Sequence, residues 1–182
     1  MNRSLCGDRR GIAAVEFAIV LPVLLLVLLA TVDVVGLVRA SWRMERAAGE
    51  LGNVIAQLDA ITEADFPVLF DVADRIAAPY ELTGLAGAVI VTGIAGGQNG
   101  ATIAWQRRAG SGLFSSRIGA AGTASLPAGF ILPAGQSAIA VETYVQSRPW
   151  VLAAPFLGGE ARTLSGFGLF RPRLATLASI DP

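Results

Sequence analysis

Between residues 12 and 38 the chain carries only two formal charges, Glu16 and Asp33, and the centre of that stretch is almost pure Leu, Val and Ala. About 20 apolar residues, each rising ~1.5 Å, cross the hydrocarbon core of a bilayer as a helix. Residues 12–32 meet that length, with Asp33 falling near the far interface. A removable signal peptide is the rival reading, with a basic start, an apolar run of roughly 7–15 residues and a small-residue cleavage site. Arg3, Arg9 and Arg10 supply the basic start, but the run is longer, ends in Asp33, and residues 36–40 match A-x-A poorly. The run reads as a membrane anchor.

Three residues inside it call for an account. Pro22 is expected to give a mild kink, which membrane helices tolerate when neighbours satisfy the freed carbonyl. Asp33 is expected at the outer interface, with a partner contact as the other option. Glu16 sits one helical turn inside the run, where a carboxylate costs about 2.5 kcal/mol or more towards mid-bilayer. It either leans outward to the headgroups or has a partner.

Arg10-Gly11-Ile12-Ala13-Ala14-Val15-Glu16-Phe17 resembles the processing site of type IV prepilin-like proteins. The continuation through Pro22 and Asp33 is similar to the TadE/TadG-like family of tight-adherence (Flp) pilus systems, and Arg171-Pro172-Arg173 is a weaker second likeness. The resemblance implies a pseudopilin or minor pilin cut between Gly11 and Ile12 by a prepilin peptidase, with Glu16 as fifth residue of the mature chain and Phe17 beside it. It also implies a cytoplasmic N-terminus, an inner-membrane anchor and an extracytoplasmic domain that can pass into the pilus. Other pilins or pseudopilins and the assembly platform would be its partners. A half-buried Glu16 pairing with the new amine of a neighbouring subunit's Ile12 would set helix register, since a buried charge needs an opposite one. Charge alone orients the span weakly, because Arg39, Arg43 and Arg46 follow it.

Composition narrows the alternatives. The 182 residues allow one anchor and one modest domain, and 14 basic against 14 acidic residues give no reason to expect a nucleic-acid partner. Every basic residue is Arg, which reads as genomic bias. With no His, the commonest general base and metal ligand is missing, and the single Cys, Cys6, lies in the leader with no intrachain partner. A lipoprotein reading of Cys6 fails, since no apolar stretch precedes it. A non-catalytic protein without metal or cofactor is expected. The alternative function is a single-pass envelope protein with an extracytoplasmic binding domain unrelated to pili.

Beyond the span the helical pattern continues from Arg39 to about Leu58. Trp42 suits the interfacial belt, and Leu51, Val54, Ile55 and Leu58 form a stripe, with a bend expected at Gly49 and Gly52. Thr62-Glu63-Ala64-Asp65 reads as an N-cap with early acids. A second helix with Phe66, Leu69, Phe70, Ala73 and Ile76 on one face follows, ended by Pro79. Glu63, Asp65, Asp71 and Asp74 read as a solvated face rather than a metal site. Residues 88–94 and 101–107 form a hairpin about Gly96-Gly97-Gln98-Asn99-Gly100; a phosphate loop is the poorer reading, with a strand following and no Lys.

Residues 110–135 read as loop, with Leu113-Phe114 and Phe130-Ile131-Leu132 as anchors. Residues 136–147 are the clearest strand, Ile139, Val141, Thr143 and Val145 on one face and Ala140, Glu142, Tyr144 and Gln146 on the other. Trp150, Val151, Leu152, Phe156 and Leu157 are expected to pack over the sheet, with docking on a partner or bilayer as the alternative. Residues 161–174 supply a last strand. The fold expected is α+β and pilin-like: a basic leader (1–11), a transmembrane helix (12–38), a helical segment (39–79) continuing it as an amphipathic helix before a second helix, and a small antiparallel β-rich domain (80–182).

Overall fold

The computed structural model describes residues 10–149 and 160–181. The first element, α1, is a single helix over Arg10–Ile55. Its 46 residues make it about 69 Å long. Pro22 lies inside it and the helix continues past it. It also runs unbroken through Gly49 and Gly52. Gly52 serves close approach rather than bending, since a Cβ there would stand 2.3 Å from the Phe170 ring.

The chain divides into two compact units, one containing the apolar half of α1 and the other made of Val38–Ser147 with Ala161–Pro182. In the first, every residue from Gly11 to Leu29 is exposed. In the second, the helix changes character at Ala40, where buried positions begin to recur at spacings of three and four: Met44, Ala47, Ala48, Leu51 and Ile55. That is the stripe expected of an amphipathic helix. Burying Met44, Leu51 and Ile55 stabilises the unit by roughly 1.5–3 kcal/mol each.

Helix α2 spans Asp65–Ala77 and buries Phe66, Leu69, Phe70, Ala73 and Ala77. Its start corrects the capping expectation: the N-cap is Ala64 and makes no side-chain cap bond. Thr62 instead gives both its backbone N–H and its hydroxyl to the Asp65 carboxylate, each at 2.8 Å. The acid in the first turn thus ties down the preceding turn, while α2 stops at Ala77, ahead of a cis Ala78–Pro79 bond.

Four antiparallel strands follow: β1 Gly87–Gly97, β2 Gly100–Gly110, β3 Ser137–Ser147 and β4 Arg162–Phe170, in the spatial order β2-β1-β3-β4. The β1–β2 turn is Gln98-Asn99, with Gly97 paired to Gly100, whose φ of +114° favours glycine. A bulge at Gly93/Ile94 sets Trp105 over Gly93, where a Cβ would stand 2.2 Å from the indole.

Both faces of the sheet are buried. Val89, Val91, Trp105, Ile139, Val141 and Val145 pack with α2 and the lower part of α1 in one core. The opposite face is covered by the 110–135 connection: Ile118, Ala124 and Leu132 pack on Ile94, Ala138 and Ala140, and Phe114 packs with Ala88, Ile90 and Tyr144. Of the anchors expected in that connection, Phe114 and Leu132 are inside, while Leu113 and Ile131 are 72% and 76% exposed. The reading of Trp150, Val151, Leu152, Phe156 and Leu157 lies outside the described residues. An α+β chain with a long apolar N-terminal helix, a second helix and a small antiparallel sheet is what the sequence called for.

Candidate functional site in the N-terminal helix

Gly11, Ile12, Glu16 and Phe17 occupy the first two turns of α1. Helical spacing puts Ile12 and Glu16 one turn apart on the same face, four residues being a neighbour distance on a helix. Ile12 is 55% and Phe17 61% exposed, Glu16 is exposed, and nothing lies within 4 Å of where a Gly11 Cβ would be. The motif is therefore presented on open helix surface, followed by exposed apolar residues through Val38. Thr31 returns its hydroxyl to the Val27 carbonyl at 2.8 Å, and Asp33 is buried between exposed Val32 and Val34. Among the described residues this helix is the one long and apolar enough to cross a membrane.

The second unit holds a polar centre that sequence reasoning passed over. Glu142 is fully buried, yet its carboxylate accepts from the Arg117 backbone N–H at 2.8 Å, the Tyr144 hydroxyl at 2.9 Å and the Ser116 hydroxyl. Burial, aided by the neighbouring Glu142 charge and its hydrogen bond, pushes the Tyr144 hydroxyl up to about 12. Phe114 stacks on Tyr144 with ring centroids 5.3 Å apart and planes within 9°. The carboxylate accepts three hydrogen bonds and is closed to solvent, so the arrangement clamps the 110–135 connection to β3. The alternating pattern of β3 placed Glu142 beside Tyr144; its partners stand 25 and 26 residues away and leave no local signal.

The four acids about α2 diverge. Glu63 pairs with Arg107 of β2, and that hydrogen bond holds Glu63 below the usual carboxylate range and raises the guanidinium. Thr62's donors lower Asp65 likewise. Asp71 binds Arg75 at 2.8 Å, and Asp74 accepts from the backbone of Leu82 and Thr83. Each carboxylate has its own protein partner, which leaves no convergent set for a metal.

Arg171 and Arg173 are fasteners in this fold. Arg171 donates to the Ile131 carbonyl at 2.7 Å and lies 5.2 Å from the Phe130 ring centroid. The Arg173 backbone N–H reaches the Ala56 carbonyl at 2.9 Å, just past the end of α1. The tail then buries Leu177, whose carbonyl accepts from the Trp105 indole at 3.0 Å.

Residues 11–51 match the family described as TadE-like protein. The match takes in the whole exposed apolar run and the helix as far as Leu51, and ends before α2 and the sheet. No curated protein and no solved structure matches the chain. A TadE-like segment supports involvement with Tad pilus systems in general, and its single apolar helix fits a single-pass membrane anchor.

Proposed function

We propose that the chain is a membrane-anchored pseudopilin or minor pilin that assists tight-adherence pilus assembly without catalysing a reaction. The observation that carries this reading is the TadE-like match over residues 11–51, which coincides with a helix whose residues are all exposed from Gly11 to Leu29. In this reading a prepilin peptidase of the inner membrane cuts after Gly11, with the leader cytoplasmic and the β-rich domain extracytoplasmic. The new amine of Ile12 then lies one turn from Glu16, and the Glu16 of a neighbouring pilin or pseudopilin pairs with it. Such a pair fixes the axial register of two apolar helices, because sliding by one turn would leave both charges unpartnered in lipid. Phe17, exposed beside Glu16, packs in the same contact.

Mass spectrometry of the N-terminus of membrane-purified protein, from cells with and without the prepilin peptidase, tests this. A start at Ile12 that depends on the peptidase is expected. An unprocessed N-terminus in both strains sinks it and leaves the second reading, a single-pass envelope protein whose outer domain binds another envelope component. That reading draws on the sheet-bearing domain lying outside the TadE-like match. Replacing Glu16 with Ala is expected to preserve cleavage while abolishing copurification with partner pilins; unchanged copurification refutes the register role.

A further inference from the structure

The β-rich unit has two unlike ends. A Cβ on Gly166 would meet the Met44 carbonyl at 2.1 Å, one on Gly168 the Ala48 carbonyl at 3.1 Å, and one on Gly52 the Phe170 ring at 2.3 Å. Helix α1 and strand β4 therefore run in the same direction. The Arg162 end of the sheet is thus the end at which Val38 joins this unit to the apolar run. The start of β1, the end of β2 and the end of β3 share it, through the pairs Ser147↔Arg162, Gly87↔Val145 and Ala88↔Gly110.

Three large apolar side chains stand out in this region: Trp42 is 66%, Leu85 93% and Leu113 72% exposed. Both leucines are held out by anchored turns. Asp74 fixes the turn before Leu85 through Leu82 and Thr83, and Gln146 donates to the Ala86 carbonyl at 2.8 Å just after it. Leu113 immediately precedes Phe114, which is buried against Tyr144. Around them lie the exposed Arg39, Arg43, Arg108 and Arg162, against Glu45, Glu81 and Glu160. Beyond Ile55, the far end also exposes Ile131 and Leu174, but it carries Asp59, Asp65 and Asp181 against Arg171 and Arg173, with no excess of arginine.

We propose that this end of the domain is a contact surface for anionic phospholipid, with Trp42, Leu85 and Leu113 in the headgroup layer and the four arginines facing phosphates. Aromatic and aliphatic side chains at the interface and arginines near anionic headgroups are each favourable there, the latter by about 1 kcal/mol apiece. The proposal rests on residues 12–38 spanning the bilayer, which brings this end to the headgroups and makes docking an intramolecular step.

Full-length protein carrying Cys6→Ser and one new labelled cysteine tests it in nanodiscs of phosphatidylcholine, with or without phosphatidylglycerol. Nitroxide lipids serve as quenchers. A label at Leu113→Cys is expected to be quenched by headgroup nitroxide in the anionic discs, and one at Ile131→Cys, at the far end, to be spared. Arg162→Ala lowers the docked-to-undocked ratio about fivefold, as does screening by salt near 1 M. A Leu113 label spared like Ile131, while a Val27→Cys label is quenched by acyl-chain nitroxide, overturns the proposal with the anchor intact. Equal quenching of Leu113 in both disc types overturns the assignment of the arginines to phosphate. A Val27 label unquenched by acyl-chain nitroxide sinks the anchor reading and the proposal together.

Discussion

The Thr143 hydroxyl of β3 donates to the main-chain carbonyl of Met44 in α1 at 2.9 Å, although the two residues are 99 apart in sequence. A carbonyl oxygen has two lone pairs, so this bond coexists with the helix's own ladder. Gly166, paired with Thr143 across the sheet, faces the same carbonyl. Helix and sheet are thus joined backbone to side chain and backbone to backbone at one point. Thr143→Val is expected to cost about 1 kcal/mol, the net worth of one buried hydrogen bond. Gly166→Ala is expected to cost about 3 kcal/mol or more, since its Cβ meets main chain that cannot rotate away. Urea melts of the full chain in detergent, followed by near-UV circular dichroism, rank the two; equal losses refute the close-approach argument.

Glu142 sets up a sharper contrast. Glu142→Gln keeps the shape but turns one acceptor into a donor facing donors, at an expected cost of about 1–3 kcal/mol. Glu142→Leu strips the partners of Arg117 N–H, Ser116 and Tyr144 together, and about 3–5 kcal/mol is expected by analogy with broken buried charge networks. In both variants, hydrogen exchange should quicken first in residues 111–135, because the clamp holds that connection. Uniform exchange across the sheet would show that Glu142 supports the whole core instead.

Alkaline titration reports on the same centre. Burial and Glu142 raise Tyr144 to about 12 in the folded protein, against about 10 for an unperturbed phenol. The folded state therefore retains a proton that the unfolded state has lost between those values. The stabilisation is complete below pH about 10 and disappears as pH rises towards 12. Absorbance at 295 nm should show a late phenolate step near pH 12 that Tyr144→Phe removes. The variant should also lose less stability than the parent on going from pH 10 to 11.

The acid side runs in the opposite sense. Glu63 and Asp65 are lowered in the folded state, by Arg107 and by Thr62 respectively. Their contribution is present above the unfolded carboxylate values and is lost as pH falls through the lowered folded ones. Glu63→Gln with Asp65→Asn should flatten the stability profile below pH about 4. Both groups are on the surface, so the effect is expected to be small and to shrink with salt. A parent and variant that decline in parallel would refute it.

What the sequence disclosed follows from the range of each signal. The apolar run and the stripe of Leu51 and Ile55 repeat within a few residues, so α1 and its change of character were legible. The alternation of β3 correctly separated Ile139, Val141, Thr143 and Val145 from Ala140, Glu142 and Tyr144. It left hidden that the second set is buried too, because its cover is a Gly-, Ala- and Ser-rich connection whose few apolar residues have no period. The tail was hidden for a related reason: Leu177 is buried by Trp105 and Ser137, contacts that no local pattern encodes. At the N-terminus, the order of Gly11, Glu16, Phe17, Pro22 and Asp33 was visible as a likeness, while a partner helix, which the proposed register requires, leaves no trace in one chain.

Gly52 and Phe170 offer a last test, and one that separates close packing from helix propensity. Alanine is the better helix former by about 1 kcal/mol, so Gly52→Ala would stabilise α1 if nothing faced it. Its Cβ, however, would fall 2.3 Å from the Phe170 ring, and the ring has little room, since Gly168 also lies against it. A net loss of about 1–3 kcal/mol is therefore expected from overpacking. Phe170→Leu removes the obstacle at its own cost in burial. The double variant Gly52→Ala/Phe170→Leu should then be more stable than the sum of the single losses predicts, with a coupling of 0.5 kcal/mol or about that, or greater. Additive losses in a double-mutant cycle would mean that the ring moves aside freely and that Gly52 has no packing role at this contact.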